Sequence, residues 1–210
     1  MPDARAAILD RIRSALAADP ASSLDAALSR PYQRTGKLSP DQCLDLFLDR
    51  LRDYDAHVVE TTPGSLPQTI AAILAKHHQK KVIAADGLPS ELLPSTFPFL
   101  PERAAAIDDL NSCDGIVTTC TVAIAFTGTI VLTHSPGEGR RLLTLLPDRH
   151  LCIVRADQVV ETVPEAFDRL APFATHPLTF ISGPSATADI EMTRIRGVHG
   201  PRFMDAVLVR

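Results

Sequence analysis

Tryptophan is absent from this 210-residue chain, and aromatic residues make up only 5% of it. An aromatic platform for stacking the bases of a single-stranded nucleic acid is therefore not expected. Basic charge is not in excess either: 21 Lys and Arg stand against 25 Asp and Glu, a formal net charge of −4. Such a field attracts neither nucleic acid nor an anionic membrane surface. No apolar run approaches the ~20 residues that span a bilayer. The opening Met1-Pro-Asp-Ala-Arg5 has no apolar stretch of the secretory type. Thiols are few, and Cys43, Cys113, Cys120 and Cys152 form no C-x-x-C pair. Structural zinc and iron–sulfur sites need closely spaced thiolates. The four are expected as reduced, mostly buried thiols of a cytoplasmic protein, with no metal site and no cofactor in this chain. G-x-G-x-x-G and Walker A phosphate loops are missing too.

What is present is ordinary for a globular chain: 45% hydrophobic and 22% charged residues. Residues 3–18 have helical periodicity, with Ile8, Ile12, Ala15 and Leu16 on one face. Residues 19–38 hold Pro20, Pro31 and Gly36 and read as a loop. The chain thus divides into an N-terminal helix-and-loop arm, 1–38, and a main domain, 39–210. Three segments carry helix-start chemistry: Ser39-Pro-Asp-Gln42, Ser65-Leu-Pro-Gln68 and Thr162-Val-Pro-Glu165. In each, a hydroxyl is placed to cap, proline sits in the first turn, and Gln or Glu closes the box. Apolar runs predict strands at 56–60, 81–85, 115–119, 122–126, 129–133, 150–154, 178–182 and 205–209. One more is expected at 104–107, inside a proline-rich stretch. Strands alternate with helices early and cluster after residue 114. That pattern predicts an α/β domain with a mixed sheet, parallel in its first half.

Three blocks have residues suited to chemistry. In Thr127-Gly128-Thr129, hydroxyls and backbone N–H groups either face a ligand or form a tight strand connection. In Ser135-Pro-Gly-Glu-Gly-Arg140-Arg141, glycines precede two arginines; the block is an anion site or a solvated hairpin tip. The third block runs from Gly183 through Ser185, Thr187 and Asp189 to Glu191, and continues at Gly197-Val-His199-Gly200-Pro201. Its hydroxyls and carboxyl either cap backbone N–H groups or bind a ligand. His199, between two glycines, is a candidate general base or anion binder, and otherwise a structural histidine. His57, His77, His78, His150 and His176 have no metal-ligand spacing beyond an adjacent pair at a helix end, and read as surface residues.

At these residues the chain resembles the lactate-utilisation protein C family, the LUD-domain family. The matching motifs are A-x-T-G-T-x-V-L at 125–132, G-x-G-R at 137–140 and L-L-P-D at 145–148. More specific are I-S-G-P-S-x-T-A-D-I-E at 181–191 and G-V-H-G-P at 197–201. The resemblance covers roughly residues 40–210. It implies a Rossmann-like mixed sheet of the CoA-transferase and ribose-5-phosphate isomerase type, with an N-terminal helical arm. It implies an accessory role in oxidising L-lactate to pyruvate, beside partner subunits that carry the iron–sulfur clusters. The site it points to comprises Thr127, Gly128, Thr129, Arg140, Gly183, Ser185, Thr187 and His199, with His199 and Asp189 as catalytic candidates. The family commonly has an acid before Thr-Gly-Thr, where this chain has Phe126. Phenylalanine is no nucleophile, base or metal ligand; it packs in the core or narrows a pocket. The residues alone also leave open a stand-alone enzyme or ligand-binding module for a small anionic or phosphorylated metabolite.

Overall fold

A computed structural model describes residues 4–18, 32–187, 195–197 and 200–210. The chain forms two compact units, Met1–Tyr32 and Gln33–Arg210. The first contains helix α1, Ala4–Ala18, where periodicity predicts it. Residues 33–38, read from the sequence as arm, belong to the second unit. There the N–H of Gly36 donates to Glu165 at 2.9 Å, and those of Lys37 and Leu38 donate to Glu161 at 2.6 and 2.7 Å.

The second unit runs α2 Pro40–Asp53, β1 His57–Thr61, α3 Leu66–Lys76, β2 Val82–Ala84, β3 Leu100–Pro101, α4 Ile107–Ser112, β4 Gly115–Thr118, β5 Val122–Ile124, β6 Thr129–Leu132, β7 Arg149–Arg155, β8 Val159–Val160, α5 Val163–Leu170, β9 Thr179–Ile181, β10 Ala186–Thr187, β11 Ile195–Arg196 and β12 Phe203–Val209. The α/β class is the expected one. The strands divide over separate sheets. Six form a wholly parallel sheet in the order β1-β12-β7-β4-β2-β3. A second sheet, β8-β5-β6-β9, is antiparallel except where β5 meets β8. The pair β10–β11 is an antiparallel ribbon.

Apolar residues cover both faces of the parallel sheet, as its unbroken hydrophobic runs require. Alternation along β7 sends Cys152 and Val154 to one side, onto Phe47, Leu48 and Leu51 of α2 and onto Ala123, Ile130 and Leu132 of the second sheet. Leu151 and Ile153 point the other way, onto Leu66, Ile70, Ile73 and Leu74 of α3. The outer face of the second sheet is closed by α5, with Val122, Ile124, Val131, Ala166 and Leu170 in contact.

Two of the three predicted capping boxes are present. Ser39 accepts from the N–H of Gln42 at 3.3 Å, and Thr162 from that of Glu165 at 3.4 Å. Ser65 makes no side-chain cap, contrary to expectation. The chain enters α3 through a 3₁₀ turn, Pro63–Ser65, so Ser65 already has near-helical dihedrals, φ −102 and ψ −3. Its carbonyl instead accepts from the Thr69 hydroxyl at 3.0 Å. The strand expected at 104–107 lies earlier, at Leu100–Pro101; a 3₁₀ turn, Glu102–Ala104, follows it, and Ile107 opens α4.

Candidate functional site

In open parallel sheets, ligands sit in the crevice beyond the carboxyl ends of the strands. Here β2 is followed by Asp86 and Gly87, β3 by Glu102, and β4 by Thr119. The 135–141 loop after β6 docks onto these ends: Gly137 N–H donates to Asp86 O and Thr119 N–H to Gly137 O, each at 2.7 Å. The middle of the loop is not solvated, because Gly137, Glu138 and Gly139 are buried, whereas Arg140 and Arg141 are exposed as a hairpin tip would have them. Gly139 has φ +72, and a Cβ there would come within 2.7 Å of Leu143 Cδ2 and 3.1 Å of Glu102 Oε2. Only glycine fits that position.

Two acids hold the loop. Glu138 is 3% exposed. It accepts from the Thr121 hydroxyl at 2.6 Å, the Thr133 N–H at 2.6 Å and the Thr133 hydroxyl at 3.1 Å. Glu102, also buried, accepts from the N–H groups of Asp86 at 3.2 Å and Arg140 at 2.9 Å. The Arg140 Nε lies 3.3 Å from it. His134 adopts φ 57. Its Nδ1 is 2.7 Å from the Gly139 carbonyl, which can only accept, so Nδ1 carries a proton. Nε2 lies 2.8 Å from the Thr179 hydroxyl.

Two cavities flank this loop. One, of about 590 Å³, is lined by Asp86, Gly87, Glu102, His134, Pro136, Arg140 and Arg141. The other, of about 240 Å³, lies under β9 and against the first residues of β7 and β12; Arg141, Thr144, His150, Thr179, Ser182, Gly183 and Ser185 line it. Arg141 borders both, and the His134–Thr179 pair contributes one side chain to each. Arg141 Nη1 donates to the Thr144 hydroxyl at 2.5 Å. Among the described residues no carboxylate pairs with Arg141. His150 is 1% exposed. Burial drives its pKa down to about 4, against a smaller upward pull from Asp205. Its ring is therefore uncharged at neutral pH, and Nε2 lies 2.8 Å from the Thr118 hydroxyl.

The predicted site residues are brought together only in part. Arg140 lines the larger cavity, and Gly183 and Ser185 the smaller. Gly183 has φ +78, and a Cβ there would meet Tyr54 Cβ at 2.5 Å. Ser185 N–H donates to Pro201 O at 2.8 Å, which ties the two C-terminal motifs together. The Thr-Gly-Thr turn stands apart from both cavities. Thr129 is buried; its hydroxyl lies 2.7 Å from that of Thr127 and 2.8 Å from that of Ser182. Gly128, φ +57, leaves no room for a Cβ beside Arg50. Thr127 and Phe126 line a separate depression with Arg50, Asp53 and Tyr54. Phe126 is 66% exposed, so it has not joined the core. The Thr187 side chain, Asp189 and His199 lie outside the described residues.

Sequence reading missed Glu102, Glu138, His134 and Thr179. A histidine ending an apolar β run, just before Ser-Pro-Gly, was the available signal for His134. His150 was read as a surface residue and is buried, because β7 begins one residue before it. His57 and His77 are half-buried beside Asp205, also against expectation, whereas His78 and His176 are exposed. All four cysteines are free and buried. Among the described residues, no helix is long and apolar enough to cross a membrane.

The chain matches the LUD domain family over residues 4–209. It is 40% identical over 182 residues to the lactate utilization protein C of Deinococcus radiodurans, with 85% of each chain covered. It is 29% identical over 189 residues to the protein of that name from Macrococcus caseolyticus, covering 82% of this chain and 80% of the relative. A crystal structure of a DUF162 family protein from Deinococcus radiodurans superposes with a TM-score of 0.72 and 35% identity, covering 83% of this chain and all of that one.

Proposed function

The chain belongs to the LUD domain family, and from that premise we propose that it is a cytoplasmic accessory subunit of a lactate-utilisation system. In this reading it holds a small carboxylate at Arg141, while partner subunits with iron–sulfur clusters take up the electrons as L-lactate becomes pyruvate. That oxidation releases two electrons and two protons, so an acceptor is required. The observation that carries the ligand site is Arg141, which borders two cavities without a carboxylate partner among the described residues. The guanidinium presents a fork that matches a carboxylate. Thr144, Ser182 and Ser185 supply hydroxyls on the same cavity wall, and the uncharged His150 adds no competing charge. The relatives' name, lactate utilization protein C, supports the place in a lactate-utilisation system.

A second reading, a ligand-binding module that works without partners, is favoured by the same cavity, which this chain lines by itself. Thermal-shift titration with lactate, pyruvate, CoA esters and sugar phosphates tests both. A ligand at 100 times its Kd adds about 2.7 kcal/mol of stability. Pyruvate or lactate is expected to stabilise the wild type and to leave Arg141→Ala unmoved. A shift that survives Arg141→Ala refutes the site. Deletion of the gene separates the readings: loss of growth on lactate and co-purification of an iron–sulfur protein support the accessory subunit. Unimpaired growth on lactate rules it out.

A further inference from the structure

We propose that His57, His77 and Asp205 form a binding site for a divalent transition-metal ion of the zinc type, at the amino end of the six-stranded sheet. None of these three residues lines either cavity that Arg141 borders, and the site goes beyond the function proposed above. His57 opens β1 and is the register partner of Asp205 in β12. His77 is the residue at the C-terminal cap of α3. Three elements remote in sequence thus deliver one ligand atom each, all within 4.8 Å of one another.

The carboxyl group is already set for the task. Asp205 is fully buried, and its Oδ2 accepts from Arg149 Nη1 at 2.7 Å. Arg149 is held in turn over the Phe203 ring, 4.7 Å from its centroid. That leaves Oδ1, which lies 2.9 Å from His57 Nδ1 and 4.0 Å from His77 Nε2. The His77 nitrogen carries the argument. It is shielded from solvent and has no hydrogen-bond partner among the described residues. A buried polar atom left unpaired is destabilising, and such an exception calls for an occupant. The two rings meet edge to face, with centroids 6.2 Å apart.

Zinc binds imidazole nitrogen at about 2.0–2.1 Å and carboxylate oxygen at about 2.0–2.2 Å, so tetrahedral neighbours are roughly 3.3–3.5 Å apart. The observed 2.9 and 4.0 Å straddle that spacing. The third pair, His57 and His77, lies within 4.8 Å, so small side-chain movements, on the order of 1 Å, close the site. Two imidazoles select zinc-type ions over calcium or magnesium, which take oxygen ligands. Arg149 on Oδ2 becomes the outer contact that orients the carboxyl group. Lys76 Nζ, 3.4 Å from His57 Nε2, is exposed and free to turn to solvent. The ligand positions 57, 77 and 205 contain no close pair, so sequence spacing gave no sign of them.

The test loads the chelator-treated full chain with zinc sulfate, dialyses it, and counts retained metal by mass spectrometry. Cobalt(II) then reports geometry through its visible d–d bands. The wild type and His78→Ala, whose side chain is an exposed neighbour, should each retain one zinc and show tetrahedral cobalt bands. His77→Leu, which removes the unpaired nitrogen and should fold, is expected to bind at least about tenfold more weakly. Equal retention by wild type and His77→Leu overturns the proposal. Cobalt–thiolate charge-transfer bands, which would place the metal on a cysteine, overturn it as well.

Discussion

The two ends of the six-stranded sheet treat their buried acids differently. At the carboxyl end, Glu138 takes its donors from a backbone N–H and hydroxyls, and Glu102 mainly from backbone N–H groups. At the amino end, Asp205 is faced by Arg149, His57 and His77. The first arrangement spends acids on shaping a loop and leaves Arg141 free of a carboxylate partner among the described residues. The second gathers charge and leaves one nitrogen unpaired. Loop-shaping acids can be saturated locally, whereas a charge cluster between distant elements settles only when every member has a partner.

Removing Asp205 should have the largest effect. Asp205→Ala strands Arg149, whose side chain is only 11% exposed. Leaving one member of a buried ion pair costs about 3–5 kcal/mol. Urea unfolding at pH 7 measures it, and a loss below about 1 kcal/mol would mean that water reaches Arg149 readily. Glu138→Ala should come next, at about 2 kcal/mol, because it leaves the buried Thr133 N–H without its acceptor, while the Thr121 and Thr133 hydroxyls retain each other and Ser135 as partners. Hydrogen exchange sharpens the contrast: the Thr133 amide should lose protection in Glu138→Ala and keep it in Asp205→Ala. Loss of protection in both would erase the distinction between the two ends.

His150 lies between these extremes and responds to pH. The unfolded chain takes up its proton near the ordinary value of 6.5, the folded chain only at about 4. Between those values the unfolded state binds more protons. Stability is therefore intact above about pH 6.5 and falls with pH, by about 2 kcal/mol at pH 5. Subtracting the pH–stability curve of His150→Gln from that of the wild type isolates this slope. A flat difference between pH 5 and 7 would show that the ring is solvated, and the Asp205 carboxyl is the charged group that opposes the downward shift.

Local chemistry was legible in the sequence, and long-range pairing was not. The Ser39 and Thr162 boxes close within three residues, so their residue types suffice to announce them. Ser65 has the same letters, yet the 3₁₀ turn before it removes the geometry. Strands were found by apolar runs, but β12 inserts between β1 and β7, and β9 joins β6; neither follows from periodicity. In the site, Gly183 and Ser185 were identified by their motif and line a cavity. Glu138 was invisible, because an acid between glycines reads as surface until Thr121, 17 residues earlier, is folded against it. Thr129 was identified by its motif too, but the contact it makes was not legible: its hydroxyl is turned to Ser182, which holds the turn to the C-terminal block.

The smallest effect is expected at the wall between the cavities. Thr179→Val keeps the shape of the side chain and removes the hydroxyl next to His134 Nε2. The lost hydrogen bond is worth about 1 kcal/mol, less than either acid because cavity water can replace the missing group. Stability alone would not distinguish this from a generic surface change, so ligand affinity is the second readout. His134 remains held by the Gly139 carbonyl through Nδ1, and its ring is then free to tilt into the cavity that it borders. If the wall matters to the carboxylate at Arg141, Thr179→Val weakens pyruvate or lactate binding while Thr127→Val, whose hydroxyl lies in the separate turn, leaves it unchanged. Equal weakening by both would move the site toward the Thr-Gly-Thr turn, and with it the boundary between the residues that shape the loop and those that bind.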